Sequence, residues 1–328
     1  MAATFVGRFG RALCAVIGVV GLVLVGSAVP ASAAAPAGHG GHGGGGGGGG
    51  SGGTGTPTTV AGNDVSYPQC GTTLPSTPAF GIVGVNGGLA NDLNPCLGPS
   101  SSYPSYVQSE LYWARTRSTG ASTQPTVSLY VNTADPGNFY GQTPIADWPT
   151  SGTNADGTCT TTTVSKRHQT YTVGANSTAC AWQYGFNKAT QDVAWLSQAA
   201  TAVDGQQSTV TVPSTASSYP WWLDVETGNT WQSGTTGVAM NVADLQGMVA
   251  ALGGAGVTVV GVYSTASQWS QIAGTTTASS GSLYQLPNWI PGATSLTGAK
   301  ANCTLSSFTG GRIVLTQWTG TVDDDHAC

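Results

Sequence analysis

Two acids separated by one residue sit among aromatics in Trp221-Trp222-Leu223-Asp224-Val225-Glu226, and Thr227-Gly228 closes the run. Side chains two apart on a strand share a face and lie roughly 6.5–7 Å apart along it, so Asp224 and Glu226 project together. Crowding two carboxyls raises the pKa of at least one and supplies a proton donor near neutral pH, which is what general acid catalysis needs. The plain alternative is a pair of acids that caps the next loop. Asp64, in Asn63-Asp64-Val65-Ser66, and the run Asp323-Asp324-Asp325 are further candidates. Their own alternatives are a helix cap and an exposed acidic tail, and the triple could also take calcium through its oxygens. Tyr67, Tyr130, Trp222, Tyr263, Trp269, Trp289 and Trp318 lie at or near expected strand ends. Flat rings with polar edges suit sugar faces there, although core packing is the commoner fate of Trp and Tyr.

These residues are far apart in the chain, so a scaffold must bring them to one rim. Apolar strand-like runs occur at Phe80–Val85, Val127–Val131, Trp221–Val225, Val257–Tyr263, Asn288–Ile290 and Ile313–Trp318. Helices are expected at Tyr103–Arg117, Thr190–Val203 and Val242–Leu252, the last with Asn241 as N-cap and Gly253-Gly254 as a stop. Glu110 falls on the first of these helices, where a solvated face is its expected place. Strands alternating with helices imply a parallel sheet, and the roughly 265 residues from Asn63 to Cys328 suit one barrel. The expected fold is a TIM-like (β/α) barrel, irregular, with fewer than eight helices. The Thr/Ser/Gly-rich stretches Thr143–Ala181 and Gly205–Ser218 read as surface excursions from it. In such a barrel the carboxyl ends of the strands form the active face. First and last strands are neighbours in a closed barrel, so Asp64 and the terminal acids reach the same mouth.

The N-terminus places Arg8 and Arg11 before an apolar run from Leu13 to Val25, then Ala31-Ser32-Ala33, the order of a cleavable secretory signal over residues 1–33. The apolar run is shorter than the roughly 20 residues a membrane helix needs, so no membrane anchor is expected. Residues 34–62 are Gly-rich, with an unbroken run from Gly43 to Gly50, and read as a flexible linker in which His39 and His42 are solvated. Beyond the signal remain Cys70, Cys96, Cys159, Cys180, Cys303 and Cys328, an even number that argues for three disulfides in an oxidising compartment. Their grouping favours pairs 70–96, 159–180 and 303–328. Cysteine and histidine spacings do not match a zinc site, and no metal or cofactor is expected. After residue 33 the chain keeps seven of nine basic residues and all 14 acidic ones, a net of −7. That balance excludes the basic footprint of a nucleic-acid binder. No GxSxG accompanies His168 or His326, which leaves serine-hydrolase chemistry without support.

In this order the motifs resemble the family 25 glycoside hydrolases, secreted lysozymes of the N-acetylmuramidase type, and related glycoside-hydrolase-like barrels of actinobacteria. Asp64-Val65-Ser66 matches the opening Asp-x-Ser strand and Asp224-Val225-Glu226 the central Asp-x-Glu. Tyr263 with Trp269, Leu286-Pro287-Asn288-Trp289, and Gln317-Trp318 followed by Val322-Asp323 match the later strands. Ser128–Pro136 departs from the family's usual aromatic-His-Phe stretch, and Thr143–Ala181 is foreign to the minimal lysozyme. The resemblance implies Glu226 as general acid and Asp224 as helper of the substrate's N-acetyl group. It places Asp64 with a terminal acid, Asp323 or Asp325, along the site. The aromatics Tyr67, Tyr130, Trp222, Tyr263, Trp289 and Trp318 would hold glycan.

The leading expectation is therefore a secreted, monomeric glycosidase acting on peptidoglycan or a related N-acetylated glycan, outside the cell or on its wall. A noncatalytic carbohydrate-binding barrel is the alternative from another class, and a calcium-dependent structural protein is a third.

Overall fold

The computed structural model describes residues 61–87, 90–320 and 322–328. The expected signal peptide and nearly all of the expected linker lie outside the described residues, and Gly62, assigned to the linker, instead opens the first strand. Eight strands close a barrel: β1 (Gly62–Val65), β2 (Gly81–Gly84), β3 (Val127–Asn132), β4 (Trp221–Asp224), β5 (Val260–Tyr263), β6 (Asn288–Ala293), β7 (Ile313–Trp318) and β8 (Asp323–Ala327). They follow one another around the barrel in chain order, with β8 pairing back onto β1.

Strands β1 to β7 run parallel, as the alternation with helices requires. Strand β8 is antiparallel to both of its neighbours. The connection from β7 is the reason: only residues 319–322 separate the two strands, and a parallel return needs a crossover of a dozen residues or more. The start of β8 consequently lies at the same rim as the ends of the other seven. An exposed acidic tail was one reading of Asp323–Asp325; these residues are a barrel strand.

Side-chain alternation splits the core into two layers. Ile82, Trp222, Trp289 and Leu315 fill the barrel with Phe80, while Val83, Leu129, Val131, Trp221, Leu223 and Val262 face the surrounding helices. The described residues contain five α-helices: α1 (Glu110–Arg117), α2 (Thr178–Gln206), α3 (Gly234–Gly254), α4 (Ala266–Ile272) and α5 (Leu296–Asn302). None is long and apolar enough to cross a membrane.

Helix boundaries differ from the sequence expectation for local reasons. Residues 103–109 do not join α1; they form a 3-10 turn at Tyr106–Gln108, and the Ser109 hydroxyl caps α1 by accepting from Tyr112 N. Helix α2 begins 12 residues earlier than its periodicity suggests, because Ser177 caps it inside the supposed excursion. That excursion also carries two hairpins, Gly152–Asn154 with Gly157–Cys159 and Thr161–Lys166 with Gln169–Gly174, and Thr143–Pro144 pairs back onto Phe139–Tyr140. Helix α3 starts at Gly234 behind Ser233, so Asn241 is no cap; it is buried inside the helix and donates to the carbonyls of Gln232 and Ile272, both at 2.9 Å. Helices α2 and α3 pack backbone to backbone. A Cβ on Gly185 would stand 2.0 Å from the Asp244 carbonyl oxygen, and one on Gly247 2.0 Å from that of Trp182. The three disulfides pair Cys70 with Cys96, Cys159 with Cys180 and Cys303 with Cys328.

Candidate active site

Every barrel strand except β2 contributes to one cavity at the rim. About 160 Å³ in volume, it is lined by Asp64 of β1, Tyr130 of β3, Asp224 of β4, Tyr263 of β5, Trp289 of β6, Gln317 of β7 and Asp323 of β8, together with Glu226. Strand β2 contributes absence instead. A Cβ on its last residue, Gly84, would stand 2.9 Å from Tyr130 Cζ and 2.7 Å from Ser66 Cβ, so only glycine leaves the Tyr130 ring its place.

The period of two sorts the terminal acids. Asp323 and Asp325 face the barrel interior and Asp324 the outside, where its Oδ1 accepts from Asn63 Nδ2 at 2.8 Å. Asp323 reaches the cavity wall; Asp325 lies one step deeper, fully buried against Asp64 and the Trp289 indole. The three aspartates therefore do not converge as a calcium site. Among the described residues, the three potential metal ligands within 4.8 Å of one another are Cys70, Cys96 and Glu110, and those two cysteines are already joined to each other.

A hydrogen-bonded chain runs across the cavity floor. The Tyr263 hydroxyl donates to Gln317 Oε1 at 2.9 Å, and Gln317 Nε2 donates to Asp64 Oδ2 at 2.8 Å. Burial pushes Asp64 up to about 7, the nearby Asp323 charge adds to the rise, and the Gln317 donor opposes it. Asp224 is held well above the usual carboxylate range by burial, then by Glu226 and Asp64, and its Oδ1 is buried without a partner. Asp325 is raised in the same way by burial and by Asp64, and Asp323 is raised by burial and by Asp324. Removing water disfavours each charge, and each charge then disfavours the next. At mildly acidic pH the site accordingly stores protons.

Glu226 lies two residues beyond the end of β4 and is half-buried. Its Oε1 accepts from Gln268 Nε2 at 3.3 Å, and its carbonyl accepts from Trp231 Nε1 at 2.9 Å. Neither Gln268 nor Trp231 stands out in the sequence. Gln268 becomes visible only when α4 is placed beside the segment that follows β4.

Among the six aromatics expected to hold glycan, Tyr130, Tyr263 and Trp289 are in the cavity wall. Trp289 is their hub, edge-to-face with Tyr263 at 4.5 Å, Trp222 at 5.9 Å and Tyr130 at 6.3 Å. Trp222 points inward two residues below Asp224 and is buried under the cavity rather than in its wall. Trp318 alternates to the face opposite Gln317, and Tyr67, 48% exposed, stands on a 3-10 turn outside the cavity wall. Trp269 is buried in the outer layer, where Nε1 donates to Thr276 and the ring packs on Phe308. Glu110 is not a solvated helix residue. It is 1% exposed, accepts from Asn94 Nδ2 at 2.7 Å and is pushed up to about 8 by burial.

No family model matches the chain, and no curated protein matches it. Among solved structures, the chain is similar to the glycosyl hydrolase 25 GHIP of Streptococcus pneumoniae, described as a virulence factor participating in host cell invasion. Identity there is 12%, over 83% of this chain and 88% of that one, with a TM-score of 0.38. It is also similar to a muramidase from Trichobolus zukalii at 15% identity, over 82% of this chain and 94% of that one, with a TM-score of 0.35. A barrel alone hosts many unrelated reactions, so the functional reading rests on the side chains at its rim.

Proposed function

We propose that the protein is a secreted glycoside hydrolase of the family 25 type that cleaves peptidoglycan or a related N-acetylated glycan. The observation that supports this best is the meeting of Asp224 and Glu226 with Asp64 and Asp323 in one cavity walled by Tyr130, Tyr263 and Trp289. Glu226 donates its proton to the glycosidic oxygen as the bond to the anomeric carbon breaks, and the bonding pair leaves with that oxygen. Asp224 holds the substrate's N-acetyl group against the developing cation. Water then attacks the anomeric carbon and returns a proton to Glu226, which restores the acid. Six paired cysteines and the N-terminal signal pattern support export, and the Gly-rich segment serves as a tether to a monomeric domain at the wall.

A noncatalytic glycan-binding barrel is the second reading. The departure of Ser128–Pro136 from the family's aromatic-His-Phe stretch favours it. One experiment separates the two. The purified protein is incubated with a bacterial wall suspension, and reducing ends are counted for wild type and Glu226→Gln. Hydrolysis that disappears in Glu226→Gln at unchanged circular dichroism supports the enzyme. Wall pull-down with no release from any wall or chitin-like glycan, the same in both proteins, supports the binding barrel.

A further inference from the structure

Strand β4 ends at Asp224, so the sheet ladder does not fix Glu226. The junction between β5 and α4 does. Val225 N donates to the Tyr263 carbonyl at 2.9 Å, and the buried Ser264 hydroxyl donates to the Val225 carbonyl at 2.7 Å. One helical turn further on, Gln268 spans Glu226 and Thr227. Its Oε1 accepts from Thr227 N at 2.6 Å and from the Thr227 hydroxyl at 3.1 Å, while its Nε2 donates to Glu226 Oε1 at 3.3 Å. A backbone N–H can only donate, so it dictates which end of the amide faces it. The amide nitrogen of Gln268 must then face Glu226, and Glu226 Oε1 must be an acceptor.

We propose that Gln268 is the positioning residue of this site: it reserves Glu226 Oε1 as a permanent acceptor and leaves Oε2 as the oxygen that carries the transferred proton. The proposal rests on the hydrolase reading above. When the Oε2–H bond breaks, the proton passes to the glycosidic oxygen and the electron pair stays on Glu226. Negative charge then develops across both carboxyl oxygens, and the Gln268 N–H donor meets it at Oε1. A donor aimed at charge that appears only during the reaction acts on turnover rather than on substrate binding.

The test uses the full-length protein and a soluble N-acetylated glycan oligomer, with kcat and KM measured per folded molecule. Gln268→Glu keeps an acceptor for Thr227 and removes the donor to Glu226; Gln268→Leu removes both. The expected result is a fall in kcat of about 10- to 100-fold in both variants, with KM within about twofold; Gln268→Glu also sets a second carboxyl against Glu226 and moves the pH profile of kcat to higher pH, which a purely structural loss does not. If kcat per folded molecule stays at the wild-type value in both variants while Tm drops, Gln268 is structural only and the proposal is overturned. A wild type that releases no reducing ends overturns the hydrolase reading and this proposal together. An active wild type with unaltered variants overturns the role of Gln268 alone.

Discussion

Gln317 Nε2 donates to Asp64 Oδ2 at 2.8 Å, a bond from β7 to β1 that passes over β8. Gln317 and Asp325 are register partners, and Asp325 is also opposite Gly62, so the buried Asp325 carboxyl lies below that bond. An amide nitrogen offers only protons, which favours the ionised form of Asp64. The loss of water, and then the Asp323 charge, favour the neutral form and prevail over the Gln317 and Asp325 hydrogen bonds. In Gln317→Leu the donor is gone and the Asp64 titration moves to higher pH. Carboxyl ¹³C NMR reads this directly: the wild-type midpoint lies at about 7, and the variant's lies above it. An Asp64 midpoint in the ordinary carboxylate range in both proteins would remove the basis for treating this rim as a proton store.

The raised carboxyls predict that stability falls as pH rises. Burial raises Glu110 to about 8, Asp192 to about 8, Asp64 to about 7 and Asp135 to about 6, and also raises Asp224, Asp244 and Asp325. Between the unfolded carboxylate range near pH 4 and these raised values, the native state holds protons that the unfolded chain has released. Proton release then favours unfolding, so the contribution is fully present below about pH 4 and is lost as pH rises to about 8. Burial raises Asp323 and Asp324 as well, and His326, shifted down by burial and by Lys300, works in the opposite sense on the acid side, one group against nine. Urea midpoints measured at intervals from pH 4.5 to 9 decline under this account. A flat or rising series contradicts it.

The sequence shows the barrel through its apolar runs, because a strand buried on both faces is apolar throughout. It also shows the disulfide pairs through their proximity in the chain. Strand β8 is hidden, since Asp323-Asp324-Asp325 has none of the composition of a strand and is held by pairing on both sides. The same pairing decides which aspartate faces the cavity. Asp224, Glu226, Asp64 and Asp323 were visible as acids at strand ends. Gln317 was marked only through the final-strand match and Gln268 not at all, because an amide becomes informative only through its partners. Trp222 and Trp318 show the limit of naming aromatics near strand ends: alternation and depth, set by β4 and β7, send one below the cavity and the other outside it.

Glu110 isolates one term of the pH dependence away from the rim. Its Oε2 accepts from Asn94 Nδ2, and its Oε1 is buried with no partner. The loop that carries Asn94 covers it, tied down by the Cys70–Cys96 disulfide. Glu110→Gln keeps the shape of the protonated acid and an oxygen to accept from Asn94, and it cannot ionise. The variant's Tm matches wild type at pH 5 and exceeds it at pH 9, and the difference grows through about pH 8. An equal or lower Tm at pH 9 means that the carboxyl is not forced to ionise in the fold.

The Cys303–Cys328 disulfide closes a separation of 25 residues and anchors the end of β8, where Cys328 N donates to the Val314 carbonyl at 3.0 Å. Such a loop closure is worth about 3 kcal/mol through the unfolded state. Its loss also releases the strand that carries Asp323 and Asp325. The double substitution Cys303→Ala with Cys328→Ala lowers the unfolding free energy by about 2–4 kcal/mol and, under the proposed hydrolase function, lowers glycan turnover per folded molecule as well. The Cys159–Cys180 pair is the matched comparison. It has a separation of 21 and ties a hairpin to the start of α2, and neither cysteine lines the cavity. Removing it costs similar stability by the same loop entropy but leaves turnover per folded molecule intact. Equal losses of turnover in the two double variants would mean that β8 has no special part in holding the acids, and that both disulfides act only on the fold as a whole.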